Sequence, residues 1–497
     1  MSERLIDRIA GRATICAVLA ALIFFSRAWL IRTWGSPLPF WDQWDAEAIG
    51  LYAPWMQGTL RWTDIFRAHN EHRIVLTRLA DLALFAAGGG WNPWAQLLLN
   101  AALHAGTGAA LAAMFWSALP PRSRVFFVAG LALLFTATGG WQNALFGFQS
   151  QVYFANLFAV IAIGGLVGGT PFQIYWWLGL GAAVLAHFSN GGGMLAALAA
   201  LIVGLGINAG TPRPAKNWAS SGLLAGGLLM AVVSGGDASQ HASFHAQNAG
   251  QFFAVLTHCL AWPWINQGIG CLIMQLPLAW LVFERWWRRE PLDAAERCAL
   301  ALGLFGVLQA AAIAYSRGAV LPESRPLSRY QDPLLLGAAG QLFAVLKILV
   351  RPGSAGRVGG LLWGGVALGG LIGLTTTNFT LHLPFKRTQD RANLAIVRAY
   401  AVSGDSSVFT RDPNFSGPHP DPRVVRRVID DPALRATLPA EVLAPDGNQT
   451  ATYPRIIRES PLLTAASATV FLFLLALRWR PTSDRTHSPV PAQPGTR

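Results

Sequence analysis

Apolar runs of roughly 17 to 25 residues recur from one end of the chain to the other, each long enough to cross a hydrocarbon core as a helix. In lipid every backbone N–H and C=O must be satisfied within the protein, and a helix does this within a single segment. The sequence is therefore expected to fold as an all-α polytopic membrane protein. Composition agrees, with 53% of residues apolar and only 13% charged. The 20 tryptophans suit interfacial anchoring. The formal charge of +13 is scattered through short loops and tails rather than gathered on a soluble surface, so nucleic acid is not an expected partner.

Arg4, Arg8 and Arg12 precede the first run, which lacks a small-residue cleavage site and reads as an uncleaved span with a cytoplasmic N-terminus. Ile74–Ala87 is apolar but short and carries Arg78 and Asp81, so it is expected to lie in the interface. About twelve spans then remain: 13–31, 94–118, 123–139, 152–168, 172–188, 191–208, 218–234, 268–284, 295–315, 332–350, 357–378 and 461–477. This allocation puts the basic loops, among them Arg122 with Arg124, Arg213 with Lys216, and Arg285 with Arg288, on the cytoplasmic side. It leaves a long first periplasmic loop, 32–93, with interfacial helices. Cys16, Cys259, Cys271 and Cys298 show no ligand-type spacing, which argues against a zinc site or disulfide framework.

The polar motifs all fall on the outer side of this topology. Phe40-Trp41-Asp42-Gln43-Trp44-Asp45-Ala46-Glu47 sets three carboxylates among aromatics, and on a helix Asp42 and Asp45 share a face at i, i+3. Such acids can take a proton from a hydroxyl, pair with arginine or bind a cation. His69-Asn70-Glu71-His72-Arg73 follows, without the H-E-x-x-H spacing of a zinc protease. A later outer loop carries Arg317, Arg325 and Ser328-Arg329-Tyr330-Gln331-Asp332. Arginines there run against the positive-inside tendency and suit an anionic partner, because a guanidinium can bind phosphate oxygens bidentately. Trp141-Gln142 offers an aromatic face and an amide suited to sugar hydroxyls, and Asn190 opens a glycine run in which backbone amides can approach a ligand.

Residues 379–460 are poorer in long apolar runs and rich in Pro, Arg and Asp, as expected of a small periplasmic subdomain; Val424, Val425, Val428, Ile429 and Leu434 approximate one apolar face. The expected organisation is a bundle over 1–378, this subdomain over 379–460, a last span over 461–479, and a disordered cytoplasmic tail over 480–497.

Asp42 with Asp45, Met56-Gln57-Gly58 with Trp62, and Glu71-His72-Arg73 together resemble the long first outer loop of bacterial polyprenyl-phosphate-dependent glycosyltransferases of the GT-C superfamily. The similarity covers mainly residues 1–120, and Arg73-Ile74 stands where the family often has a proline pair. The resemblance implies a bacterial inner-membrane enzyme that moves a sugar, with inversion, from a polyprenyl-phosphate donor to a lipid, glycan or protein acceptor. It implies catalytic roles for Asp42 and Asp45, and donor-phosphate binding by Arg317, Arg329 and Arg73. Glu47, His69, Glu71, His72, Trp141, Gln142, Asn190 and Tyr330 would contact substrate. A divalent cation, Mg or Mn, is left open, with no metal ligand assigned. Two other classes compete: a transporter or flippase of lipid-linked glycan, and a noncatalytic factor that binds such a glycan.

Overall fold

The computed structural model describes residues 9–207, 215–233, 239–321, 325–350, 354–411, 417–444 and 453–479. Arg4, Arg8, Arg213 and the tail from Arg480 lie outside the described residues. Among those described there is no strand, only an isolated antiparallel bridge between His69 and His72.

The protein is an all-helical, multi-pass membrane protein. Among the described residues seven helices are long and apolar enough to cross a membrane: Arg12–Trp34, Pro93–Ala118, Gly147–Gly168, Ala294–Arg317, Asp332–Leu349, Gly356–Ser403 and Arg455–Trp479. The other expected spans fall on helices that are shorter or more polar: Pro121–Thr136, Ile174–His187, Leu195–Ile207, Ala215–Val233 and Gly270–Arg288. Helix starts follow local chemistry. Asn92 caps the helix from Pro93 by accepting from Ala95 N at 3.1 Å, with proline at the first position where no N–H is needed. Asp293 and Glu296 form a reciprocal capping box ahead of Ala294–Arg317.

The two ends of the bundle differ in chemistry. At one end Arg478 reaches Ala10 O at 2.7 Å, Arg285 pairs with Glu296 at 2.7 Å, and Lys347 pairs with Asp293 at 2.9 Å. The opposite end gathers the loops that carry Trp41–Glu47, His69–Arg73, Trp141–Gln151, Ser189–Gly193 and Arg317–Asp332.

On that motif-bearing end a second core forms outside the bundle. Trp44, Leu51, Tyr52, Val75 and Phe85 from the first loop pack with Val397, Phe409, Val425, Val428, Ile429 and Leu434 from the far end of the chain. Trp41 N donates to Pro418 O at 2.8 Å and Trp91 N to Thr437 O at 2.9 Å, tying the two segments together. The subdomain is thus built from loop 32–93 as well as from the C-terminal region. Its junction with the bundle is also continuous: Ser354–Thr377, a π turn at Asn378–His382, and Leu383–Ser403 follow without a break across position 378. The apolar Ile74–Ala87 segment forms a separate helix, Val75–Gly88, that ends at Gly89 in the left-handed region (φ 68°).

Candidate functional site

The first loop begins with Asp42 and the ten-residue π-helix Gln43–Tyr52. Wider winding changes which residues share a face, so the three acids separate in role. Asp42 stays half-buried, with Oδ2 3.8 Å from His69 Nε2, an ion-pair distance rather than a hydrogen bond. Asp45 lies near it, and burial first, then the charge of Asp42, raises its carboxyl above the ordinary range. Glu47 turns the other way. It is 1% exposed, and its Oε2 accepts from Gln96 (2.8 Å), Trp91 (3.0 Å), Gln43 (3.3 Å) and Tyr52 (3.3 Å). Gln96 Nε2 also donates to Asp81 Oδ1 at 2.9 Å, so one amide joins two buried carboxyls. Burial pushes Glu47 up to about 7 despite those donors, and burial with the charge of Glu47 raises Asp81 well above its ordinary value.

The bridge between His69 and His72 makes a tight turn with Asn70 at φ 50°, which brings Glu71 to Arg317 and His241. Glu71 accepts from Arg317 Nη2 at 2.7 Å and lies 2.8 Å from His241 Nδ1. Burial opposes ionisation of Glu71, but charge on His72 and the Arg317 hydrogen bond override it, leaving the carboxyl at about 2. His72 is itself held down to about 4 by burial and by Arg317, so it is mostly neutral near pH 7, where Glu71 keeps the Arg317 hydrogen bond. Neutral His72 accepts from Gly191 N through Nδ1 at 3.3 Å. A Cβ at Gly191 would lie 2.9 Å from that nitrogen, so glycine permits the approach.

Arg317 is further fixed by Tyr330, whose hydroxyl oxygen accepts from Nε at 3.2 Å. Arg329 lies over the Tyr330 ring (5.2 Å) and over Trp41 (5.7 Å), the residue before Asp42. Among the described residues Arg329 Nε and His69 Nε2 are buried without a hydrogen-bond partner. The structure therefore brings Asp42, Asp45, His69, Glu71, His72, Arg317, Arg329 and Tyr330 into one corner.

Other expected residues sit elsewhere. Arg73 turns back to Phe66 O at 2.6 Å. Asn190 is a cap: its Oδ1 accepts from Gly192 N at 3.0 Å and its Nδ2 donates to Gln151 at 3.3 Å. Gln142 accepts from Arg329 N at 3.0 Å, and with Trp141 it walls a neighbouring recess. Among the described residues no group of three or more His, Cys, Asp or Glu side chains is arranged to hold a metal ion.

Two residues have roles that the sequence does not assign. His241, on the short 3-10 turn Ser239–Phe244 in an outer polar segment, becomes a partner of Glu71 and stacks on Phe244 (5.3 Å). Arg27 lies inside an apolar span, 2% exposed, and donates to Phe135 O (3.0 Å) and Ala137 O (2.9 Å) with His104 Nε2 at 3.0 Å. A lone arginine in a run averaging as strongly apolar is the signal that could have revealed it.

No family model matches this chain, and no curated protein or solved structure matches it.

Proposed function

We propose that the protein is an integral-membrane glycosyltransferase that moves a sugar from a polyprenyl-phosphate donor to a cell-envelope acceptor, working at its motif-bearing end. The carrying observation is that Glu71 and Arg317 meet at 2.7 Å while Arg329 lies over Trp41, beside Asp42. A candidate base and two guanidiniums thus share one corner, the combination that displacement of a phosphate leaving group calls for. In this reading the topology has about twelve spans, a cytoplasmic N-terminus and a periplasmic site in a bacterial inner membrane.

The chemistry balances within that corner. Asp42 takes the proton of an acceptor hydroxyl, and the hydroxyl oxygen bonds to the anomeric carbon on the face opposite the phosphate. The anomeric C–O bond breaks, and its electron pair leaves on the polyprenyl phosphate, whose growing charge Arg329 and Arg317 offset. Glu71 holds Arg317 in place and must share it with the phosphate when the donor enters. Asp45, whose carboxyl the charge of Asp42 raises, lies beside the base. Replacing Asp42 by Asn tests the reading: transfer is expected to fall by about 10²–10⁴-fold while the protein still inserts and binds donor lipid.

A transporter or flippase is the second reading, favoured by the Arg27–His104 pair within the bundle. These side chains are 2% and 3% exposed, so the reading requires the bundle to open around them. Mass spectrometry of envelope glycans separates the two. Loss of one sugar in cells lacking the protein supports transfer, whereas intact precursor trapped on the cytoplasmic side supports flipping.

A further inference from the structure

We propose that the recess between Trp141, Trp264 and His382 is a saccharide-binding pocket that holds the glycan of the acceptor; only the word acceptor rests on the transferase reading. The recess has a volume of about 730 Å³, within the range of small-ligand sites. One wall is aromatic: Trp141 lies nearly parallel to His382, with ring centroids 6.4 Å apart at 16°. Trp264 closes it from the Pro263–Gln267 turn. Its Nε1 donates to Val366 O at 2.7 Å, and a Cβ at Gly370 would lie 2.6 Å from that nitrogen, so the ring is seated tightly against the Ser354–Thr377 helix.

Among the neutral polar groups of the lining, Gln142, Ser328, Gln331 and Asn378 are engaged within the protein, and others are open. Asn266 and Gln267 are exposed at the mouth, and with Trp141 Nε1 and the His382 ring they make no side-chain hydrogen bond among the described residues. Arg325, at the edge, is the one permanently charged residue of the described lining. Fixed indole faces with amide donors and acceptors, and no carboxylate, match the alternating C–H and O–H surfaces of a neutral sugar better than an anionic headgroup. The far wall is the 325–331 segment. Its Ser328 and Gln331 face this recess, while Arg329 and Tyr330 face Trp41 and Arg317. A glycan in the recess is therefore one strand of chain away from the Asp42 corner.

The test is saturation-transfer NMR on the full-length protein in phospholipid nanodiscs, free of sugar-based detergent. The probes are a defined set of hexose, N-acetylhexosamine and pentose di- and trisaccharides. At least one is expected to bind, and Trp141→Ala, His382→Ala and Gln267→Ala are each expected to weaken it at least tenfold. Gln267 lies at the mouth, so its variant keeps the test independent of folding defects; an unchanged thermal transition checks this. The proposal is overturned if no probe binds the folded wild-type protein, or if binding survives all three substitutions. Saccharide binding by a wild-type protein with no transferase activity would sink the transferase reading and leave the pocket standing. Transfer unaffected by the three substitutions would sink the acceptor assignment.

Discussion

Glu71 and Arg317, 246 residues apart in sequence, are joined by a 2.7 Å charge-assisted hydrogen bond that pins the first extramembrane loop to the end of the Ala294–Arg317 helix. The pair is neither fully solvated nor sealed, with side chains 21% and 16% exposed. Breaking it leaves a half-buried charge with weaker company. A double-mutant cycle of Glu71→Gln and Arg317→Ala is expected to give a coupling of about 1–3 kcal/mol in unfolding experiments. The Glu71 carboxyl is lowered to about 2 by the charge of His72, a backbone hydrogen bond and Arg317 together, so their joint contribution is present above the ordinary value of 4.5 and is lost as pH falls from there toward 2. An additive cycle would mean that the contact carries no energy.

The Glu47–Gln96–Asp81 cluster has the opposite sign. Glu47 titrates at about 7 in the folded protein against an ordinary value of 4.5, so the folded state holds more protons across that interval. Stability from this group is full below pH 4.5 and declines as pH rises to about 7. Glu47→Gln, which keeps a neutral side chain at every pH, is expected to flatten this decline. It should raise stability at pH 8 by on the order of 1–3 kcal/mol relative to wild type. Melting temperatures from pH 5 to 8 check it. A variant with the wild-type slope would show that Glu47 is not the titrating group.

Arg27 satisfies two carbonyl groups at the end of the Pro121–Thr136 helix. Arg27→Ala is expected to cost about 2–4 kcal/mol in denaturation from mixed micelles, with Arg27→Lys recovering part of it. A neutral Arg27→Ala result would show that the guanidinium does not hold that helix end.

The fold was legible where local pattern decides it. Each of the expected spans coincides with a helix, and the short charged segment 74–87 is the separate helix Val75–Gly88. The valines and isoleucine of 424–429 read as one apolar face, and Val425, Val428 and Ile429 are indeed 0–2% exposed. What was illegible depends on contacts distant in sequence or on unusual backbone. Nothing local says that Trp44 and Val428 share a core, so loop 32–93 and the C-terminal region read as separate units. The i, i+3 reading pairs Asp42 with Asp45, and the two do lie near each other, but nothing local says that the π-helix sends Glu47 inward to Gln96. Arg27 was lost in a run whose average hydropathy is high. Of the candidate site, residue types could be picked out, but the partners of Glu71 could not, because Arg317 and His241 reach it from elements distant in sequence.

The central claim, that Asp42 takes the acceptor proton beside the arginines, is tested most directly by glycan transfer in nanodiscs with lipid-linked sugar donors, comparing wild type with Asp42→Asn. The account predicts a fall of about 10²–10⁴-fold in the transfer rate, with donor-lipid binding and thermal stability retained. Transfer at the wild-type rate by Asp42→Asn would contradict it.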